Sequence, residues 1–449
     1  MSAPIAGASR AGEEDELVAF LYPDVSGLSR GRAVPFRDLE RRMATGIGWV
    51  PADQAMTVFG PLGHPNPWGS MGDLRLVPDP DTRVRVDLWP DAPALHFMFC
   101  EARTLDGAPW NACPRVLLRE ALQRLEAETG LRLWAAFEHE FVLQGHSLTP
   151  PPAFTMEALR LAEPFGAHLS AALRLAGQEL DTFLPEYGDD QFEVTCAPLE
   201  GLAAADAAST VRELVREVAR RHGWRANFAP LQRPDGSGNG LHVHMSLRDR
   251  EGRPVMHDSA RPGGLSVVAG RFAAGVLARL APLCAVAAPT AVSYLRLVPH
   301  RWSAGWASLG AGDREAALRI PTPTTFGGGS AADQTRLEFR AADGACSPHF
   351  ALALIVLAGL EGIRGELDPP PVQTEETDSL ADEERQRRGI GVMPGSLEEA
   401  VTAFEEDELV RAEVSEDLRA GYVALKRMEL SLLDGVTPED ACARYAAVY

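Results

Sequence analysis

The chain has 449 residues, 45% of them apolar and 24% charged, which predicts a soluble globular protein with two domains. Its formal net charge of −20 argues against nucleic acid and anionic membrane as direct partners, since both repel an acidic surface. The six cysteines are scattered, form no CxxC pair and match no disulfide framework.

The opening MSAPIAGASRAGEEDE carries no apolar run behind a basic start, which predicts no signal peptide and a cytoplasmic protein. The first ~108 residues read as mixed and strand-rich, with turn signals at Pro51, Gly60-Pro61 and Pro78-Asp79-Pro80. Within them, residues 83–89 (RVRVDLW) alternate like a half-buried strand. After Pro114, VLLREALQRLEAETG has helical periodicity and stops at Gly130, so the boundary between domains 1–108 and 109–449 is set just before it. The second part predicts strands at LRLWAAFEHEFVL, DQFEVTCAP, GLHVHMSLRD and QTRLEFRAAD. It predicts helices at SAALRLAG, AADAASTVRELVREVARRHG, GGLSVVAGRFAAGVLARL, SPHFALALIVLAGLEGIRG and 397–407, with a final helical region. Residues 368–386, rich in proline and acid, read as an exposed excursion. The strands and helices mix without the βαβ rhythm of a doubly wound sheet, which predicts an α+β fold.

Lys426 is the only lysine, and it sits in the helical stretch YVALKRMEL. Neither a Walker A loop nor a Schiff-base enzyme is available without a suitably placed lysine. Phosphate chemistry in this chain would have to use arginines, metals and backbone groups.

Three predicted strands carry ionisable residues two apart, which places those side chains on one face. Glu138 and Glu140 project together, with His139 opposite; His242, His244 and Ser246 share a face; so do Arg336, Glu338 and Arg340. Glu193 follows Glu186 closely in EYGDDQFEV. A solvated outer face would give the same alternation. The opposite faces are strongly apolar, however, and the polar faces hold few neutral residues. Crowded carboxylates need cations, and glutamate oxygens with one imidazole suit Mg²⁺ or Mn²⁺ better than a closed zinc site. The loop RPDGSGNG, joined directly to the histidine strand, would let backbone approach a substrate closely. Arg296, Arg314, Arg319, Arg336 and Arg340 lie in or beside short polar motifs, and guanidinium groups match carboxylate and phosphate oxygens. Metals with arginines and no lysine suggest phosphoryl transfer to or from a carboxylate.

In this order, EHEF, EYGDDQFE, GSGNGLHVHMS, YLRLVP, DREAALRIP and TRLEFRAAD resemble the glutamine synthetase catalytic domain and span most of 134–362; MPGSLEEAV also looks familial. The resemblance is to type I-like members. It implies a small N-terminal β-grasp domain and a large catalytic domain with a curved antiparallel sheet flanked by helices. It also implies a homo-oligomer, a dodecamer of two hexameric rings. By motif match, Glu140, Glu186 and Glu193 would hold one metal ion, and Glu138, His242 and Glu338 a second. His244, Ser246, Arg319 and Arg336 match contacts to ATP; Gly238, Arg296 and Arg340 match contacts to glutamate; Arg314 matches the arginine near the transferred phosphoryl group. The implied reaction forms γ-glutamyl phosphate and ADP, after which an amine displaces phosphate.

Ammonium-using members of this family carry YxRLVPxxE, whereas this chain reads YLRLVPHRW and places Trp302 at the glutamate position. The early GFDGSS-like motif is replaced by GIGWVPADQ at 46–54, with Asp53 loosely in register, and a tyrosine of the same pocket aligns with Phe154. Ammonium removed from water needs acceptors and negative charge. An aromatic wall suits the carbon part of an alkylamine, and Trp302 could add a cation–π contact. The pattern is nearest to γ-glutamyl monoamide and γ-glutamylpolyamine synthetases, so an organic amine is the expected acceptor. The alternatives are an ammonia-using glutamine synthetase and a non-catalytic sensor or structural ring. The last would be expected to lose metal ligands, and all six are present. Ser237 and Ser347 replace asparagines of the family, and the first leaves a glutamate analogue open as acyl donor.

Overall fold

The structure is a computed structural model that describes residues 16–146 and 149–449. The N-terminal part is a sheet of β1 (Leu17–Pro23), β2 (Ser29–Pro35), β3 (Ile47–Trp49), β4 (Leu74–Pro78), β5 (Val84–Val86) and β6 (Leu95–Arg103). Its order is β2-β1-β6-β4-β3, with β5 on β6, and only the β1–β6 pairing is parallel among those described.

Helix Pro114–Thr129 then opens the larger part, with proline in its first turn and Gly130 closing it at φ 72° in the left-handed region. The second sheet contains β7 (Leu131–Gln144), β8 (Leu180–Pro185), β9 (Gln191–Cys196), β10 (Leu199–Glu200), β11 (Arg225–Asn227) and β12 (Leu241–Asp249). It continues with β13 (Trp306–Ala311), β14 (Ala316–Ile320), β15 (Leu337–Phe339), β16 (Val372–Gln373) and β17 (Gly391–Val392). The order is β16-β13-β14-β15-β12-β7-β9-β8, with β10 and β11 on β7 and β17 on β13. From β14 to β8 the pairing is antiparallel, as expected; β13 is parallel to both β14 and β16. The short link 312–315 folds back through a bend at Gly312 and a turn at 314–315 to start this parallel neighbour.

The apolar face of this sheet meets the helices. Pro348–Arg364 is buried along almost its whole length and packs on Val267–Ala278 and Pro114–Thr129. Among the described residues, no single helix is long and apolar enough to cross a membrane; the bent pair Val267–Ala278 and Leu280–Ala287 has the composition, but most of its residues belong to this core. Segment 368–386 is mostly exposed, as expected, but it is anchored to the sheet. It docks by β16 onto β13, buries Gln373 and Thr377, and takes a 2.6 Å hydrogen bond from Trp306 Nε1 on Asp378 Oδ1. Edge-strand pairing satisfies its backbone, a source of stability that composition does not register.

The two parts are joined by Arg115, a fully buried guanidinium. It bonds Asp79 and Glu101 of the N-terminal part at 2.6 and 3.2 Å, and both oxygens of Asp206 in helix Gly201–Arg221 at 2.9 Å.

Candidate active site

Strict alternation along β7 buries Leu131, Leu133, Ala135, Phe137, His139, Phe141 and Leu143 and turns the other face toward a polar cleft. His139 lies on the apolar side, edge-on to Phe228, and burial followed by the nearby Arg212 charge pushes it down to about 3. Strand register then gathers the polar residues. His242 is opposite Glu138, Glu193 is opposite Glu140, and Glu338 is opposite both His244 and Arg319.

The result is one cluster. Glu138 Oε2 lies 3.1 Å from His242 Nδ1, and its Oε1 lies 2.8 Å from His244 Nε2. Glu140 Oε1 is 3.9 Å from His242 Nε2, and Glu338 Oε1 is 3.8 Å from His242 Nδ1. Two triads, Glu138–Glu193–His242 and Glu138–His244–Glu338, bring their ligand atoms within 4.8 Å of one another. Glu186 reaches the cluster through its charge, which couples it to Glu140 and Glu193.

The electrostatics divide these carboxylates. Burial, then the charges of Glu138, Glu140, Glu186 and Glu338, push Glu193 up to about 9. Burial and then Glu140 push Glu186 up to about 7. Burial works against Glu138 as well, but hydrogen bonds from His242 and His244 hold it well below the usual range. For Glu338 the charges of Arg340, His242 and His244 overcome burial and hold it at about 2. A site where burial and crowded anions together raise two carboxyls is chemically fitted to divalent cations bound by oxygen and imidazole.

Arginines cap one end. Glu338 is 1% exposed and takes a 2.6 Å bond from Arg319 and a short one from Arg340. Arg340 also donates to Arg314 O at 2.9 Å and Trp302 O at 2.8 Å, and Arg336 donates to His244 Nδ1 at 3.0 Å. At the other end the glycine loop closes on the cluster. A side chain at Gly240 would come 2.8 Å from His242 Nε2, and one at Gly238 would come 2.6 Å from the Arg296 stem, so both positions need the bare backbone. Arg296 is buried and donates to Ala342 O at 2.7 Å.

The structure thus assembles Glu138, Glu140, Glu193, His242, His244, Glu338, Arg319, Arg336 and Arg340, with Gly238 against Arg296. His244, expected at the nucleotide, contacts Glu138 directly and joins a metal-competent triad. Ser246 follows on the same strand opposite Trp134, and Arg314 is exposed, its carbonyl tied to Arg340. Phe154 and Trp302 are 57% and 70% exposed, so the two rings do not enclose a pocket within one chain. Sequence reasoning missed Gln191, whose buried amide bonds Gly238 O at 2.7 Å and Asn239 Oδ1 at 2.9 Å. Its place two residues before Glu193 was the available signal. Glu315 was also missed; its contacts are to distant backbone, which leaves no spacing signal.

Comparison with known proteins agrees with this geometry. The glutamine synthetase catalytic domain matches residues 111–445, and the glutamine synthetase N-terminal domain matches 7–110. The chain belongs to the glutamine synthetase family. A γ-glutamylpolyamine synthetase of Streptomyces coelicolor is 33% identical over 96% of this chain and 93% of its own length. A glutamine synthetase of Pyrococcus abyssi is 30% identical over 94% and 91%, and a glutamate–isopropylamine ligase of a Pseudomonas species 29% over 94% and 93%. Among solved structures, a glutamine synthase homologue superposes with a TM-score of 0.90 at 44% identity, covering 98% of this chain and 100% of its own. A GmaS–ADP complex gives 0.80 at 26%, covering 95% of each chain. As a member of the glutamine synthetase family, the chain is an ATP-dependent carboxylate–amine ligase.

Proposed function

We propose that this ligase makes γ-glutamyl amides from L-glutamate and an organic amine, whether monoamine, alkanolamine or polyamine. The observation that carries this reading is the exposed indole of Trp302 beside an intact ligand cluster, its carbonyl held by the arginine that also binds Glu338. The aromatic face suits an alkylammonium better than bare ammonium, which would need acceptors in its place. The relatives named for polyamine and isopropylamine chemistry support the same reading.

In this reading Glu138, Glu140, Glu186, Glu193, His242 and Glu338 hold Mg²⁺ or Mn²⁺, which would supply charge neutralisation at the γ-phosphate of ATP. His244, Ser246, Arg319 and Arg336 orient the nucleotide, while Arg296, Arg340 and the Gly238 backbone hold glutamate. A γ-carboxylate oxygen attacks the γ-phosphorus, ADP leaves, and Arg314 and Arg340 steady the charge in transit. The amine nitrogen then attacks the acyl carbon, phosphate leaves, and the nitrogen loses a proton. Trp302 and Phe154 line the amine's approach. The unit boundary is taken at 108/109 and the assembly as a cytoplasmic dodecamer of two rings, which light scattering of the purified protein would test.

The deciding experiment measures phosphate release with ATP, Mg²⁺, glutamate and a panel of amines. Alkylamines should outrun ammonium; ammonium as best acceptor by a wide margin would defeat the reading. Similarity to glutamine synthetases of Pyrococcus favours that second outcome, so one panel separates the two.

A further inference from the structure

The loop that presents Trp302 is held at both main-chain groups of that residue. Glu315 Oε1 accepts the Trp302 backbone N–H at 2.8 Å, and Arg340 Nη2 donates to the Trp302 carbonyl at 2.8 Å. The Glu315 carbonyl also accepts from the N–H groups of Gly305 and Trp306, at 3.0 and 3.1 Å. One residue therefore ties this loop by side chain and main chain together. It can do so because the turn at 314–315 sets Glu315 beside the start of β13.

That anchoring works against real strain. Trp302 has φ 52° and His300 φ 66°, left-handed values that cost non-glycine residues roughly 1–3 kcal/mol each and persist only where neighbours over-determine them. Free of its anchors, Trp302 would relax to an ordinary conformation and its indole would point elsewhere. Glu315 itself is 4% exposed, and its Oε2 has no hydrogen-bond partner. Half of a carboxylate is thus buried without a donor, with the charges of Asp378 and Asp313 acting against it. A residue so costly to the fold is better explained by what its other oxygen holds.

We propose that Glu315 is a positioning residue that sets amine specificity: clamping the Trp302 peptide between itself and Arg340 fixes the exposed indole as the wall along which an alkylamine lies. Arg340 is bonded to Glu338, so the same clamp ties the amine wall to the ligand cluster. The inference rests on the organic-amine reading above.

The test compares Glu315→Ala and Glu315→Gln in the full-length enzyme, using the best alkylamine of the panel. Loss of the anchor in Glu315→Ala should raise the amine KM about tenfold, the worth of one hydrogen bond to a charged acceptor, with KM for ATP and glutamate unmoved. Glu315→Gln keeps an oxygen for the Trp302 N–H and should restore nearly wild-type values. In a Trp302→Gly background, where no ring remains to be placed, Glu315→Ala should add no further loss. If Glu315→Ala does not fold, Glu315→Met, of similar volume and without an acceptor, takes its place. An unmoved amine KM, an equal rise in all three KM values, a Gln variant as impaired as Ala, or a further tenfold loss in the Gly background would each overturn the proposal. A wild type that prefers ammonium defeats the amine reading whatever the variants do. A wild type that prefers alkylamines beside an unmoved Glu315→Ala defeats this inference alone.

Discussion

Glu338 offers the sharpest separation of chemistry from folding. Its carboxylate is 1% exposed and pairs with Arg319 at 2.6 Å and with Arg340, while His242 Nδ1 stands 3.8 Å away. Truncation to alanine leaves Arg340 buried without its counter-charge, at about 3–5 kcal/mol. That is a large part of the ~5–15 kcal/mol that holds a typical domain folded. Glu338→Gln keeps the shape and one acceptor, so it should fold with a smaller loss. Its effect on turnover follows from charge: a unit charge ~4 Å away in an environment of effective dielectric ~20 is worth about 4 kcal/mol, or about a thousandfold in rate. The assay is phosphate release at saturating ATP, glutamate, amine and Mg²⁺, run beside guanidinium unfolding of the same samples. A folded Glu338→Gln enzyme within about tenfold of wild-type turnover would refute the placement of this carboxylate at the reacting charge.

Other outcomes follow from the same geometry. Glu193 and Glu186, raised to about 9 and about 7, bind more protons folded than unfolded between their ordinary value near 4.5 and those limits, so metal-free protein should lose stability as pH rises through that window. Thermal melts with and without Mg²⁺ check this, the loaded protein being flatter. Glu338 has the opposite sign: its stabilisation is complete above its ordinary value and is lost as pH falls toward about 2. At pH 8, Mg²⁺ binding should release about one proton, mostly from Glu193, which calorimetry in buffers of different ionisation enthalpy would count. Trp302→Glu should shift the acceptor ratio toward ammonium by about tenfold or more while leaving KM for ATP unchanged. Arg115→Met should cost about 3–5 kcal/mol in denaturant unfolding, because it removes the guanidinium that Asp79, Glu101 and Asp206 share, leaving Glu101 to Arg119 and Arg103 and Asp206 to His349.

Much of the fold was legible because its signals are local. Proline and glycine bracket helix Pro114–Thr129, and alternation marks β7 so clearly that each buried and polar residue could be assigned to a face. The metal-competent residues were legible for the same reason, since spacing by two puts them on one side of a strand. The docking of 368–386 was not, because it depends on which distant edge offers unpaired backbone. The short β15, three residues within a much longer strand-like stretch, shows the same limit: pairing, not pattern, sets where a strand ends.

The sequence by itself determined the ingredients: carboxylates and imidazoles at strand spacing, five arginines in or beside polar motifs, and an indole in YLRLVPHRW. Only the tertiary structure decided how these groups share work. Cross-strand register made Glu138 the partner of both histidines, burial and crowding drove Glu193 up while Arg340 and the two histidines held Glu338 down, and a backbone hydrogen bond from Trp302 to Glu315 gave the indole its direction. Charge coupling and main-chain contacts fall off with distance in space, and distance in space is what a linear pattern of residues does not contain.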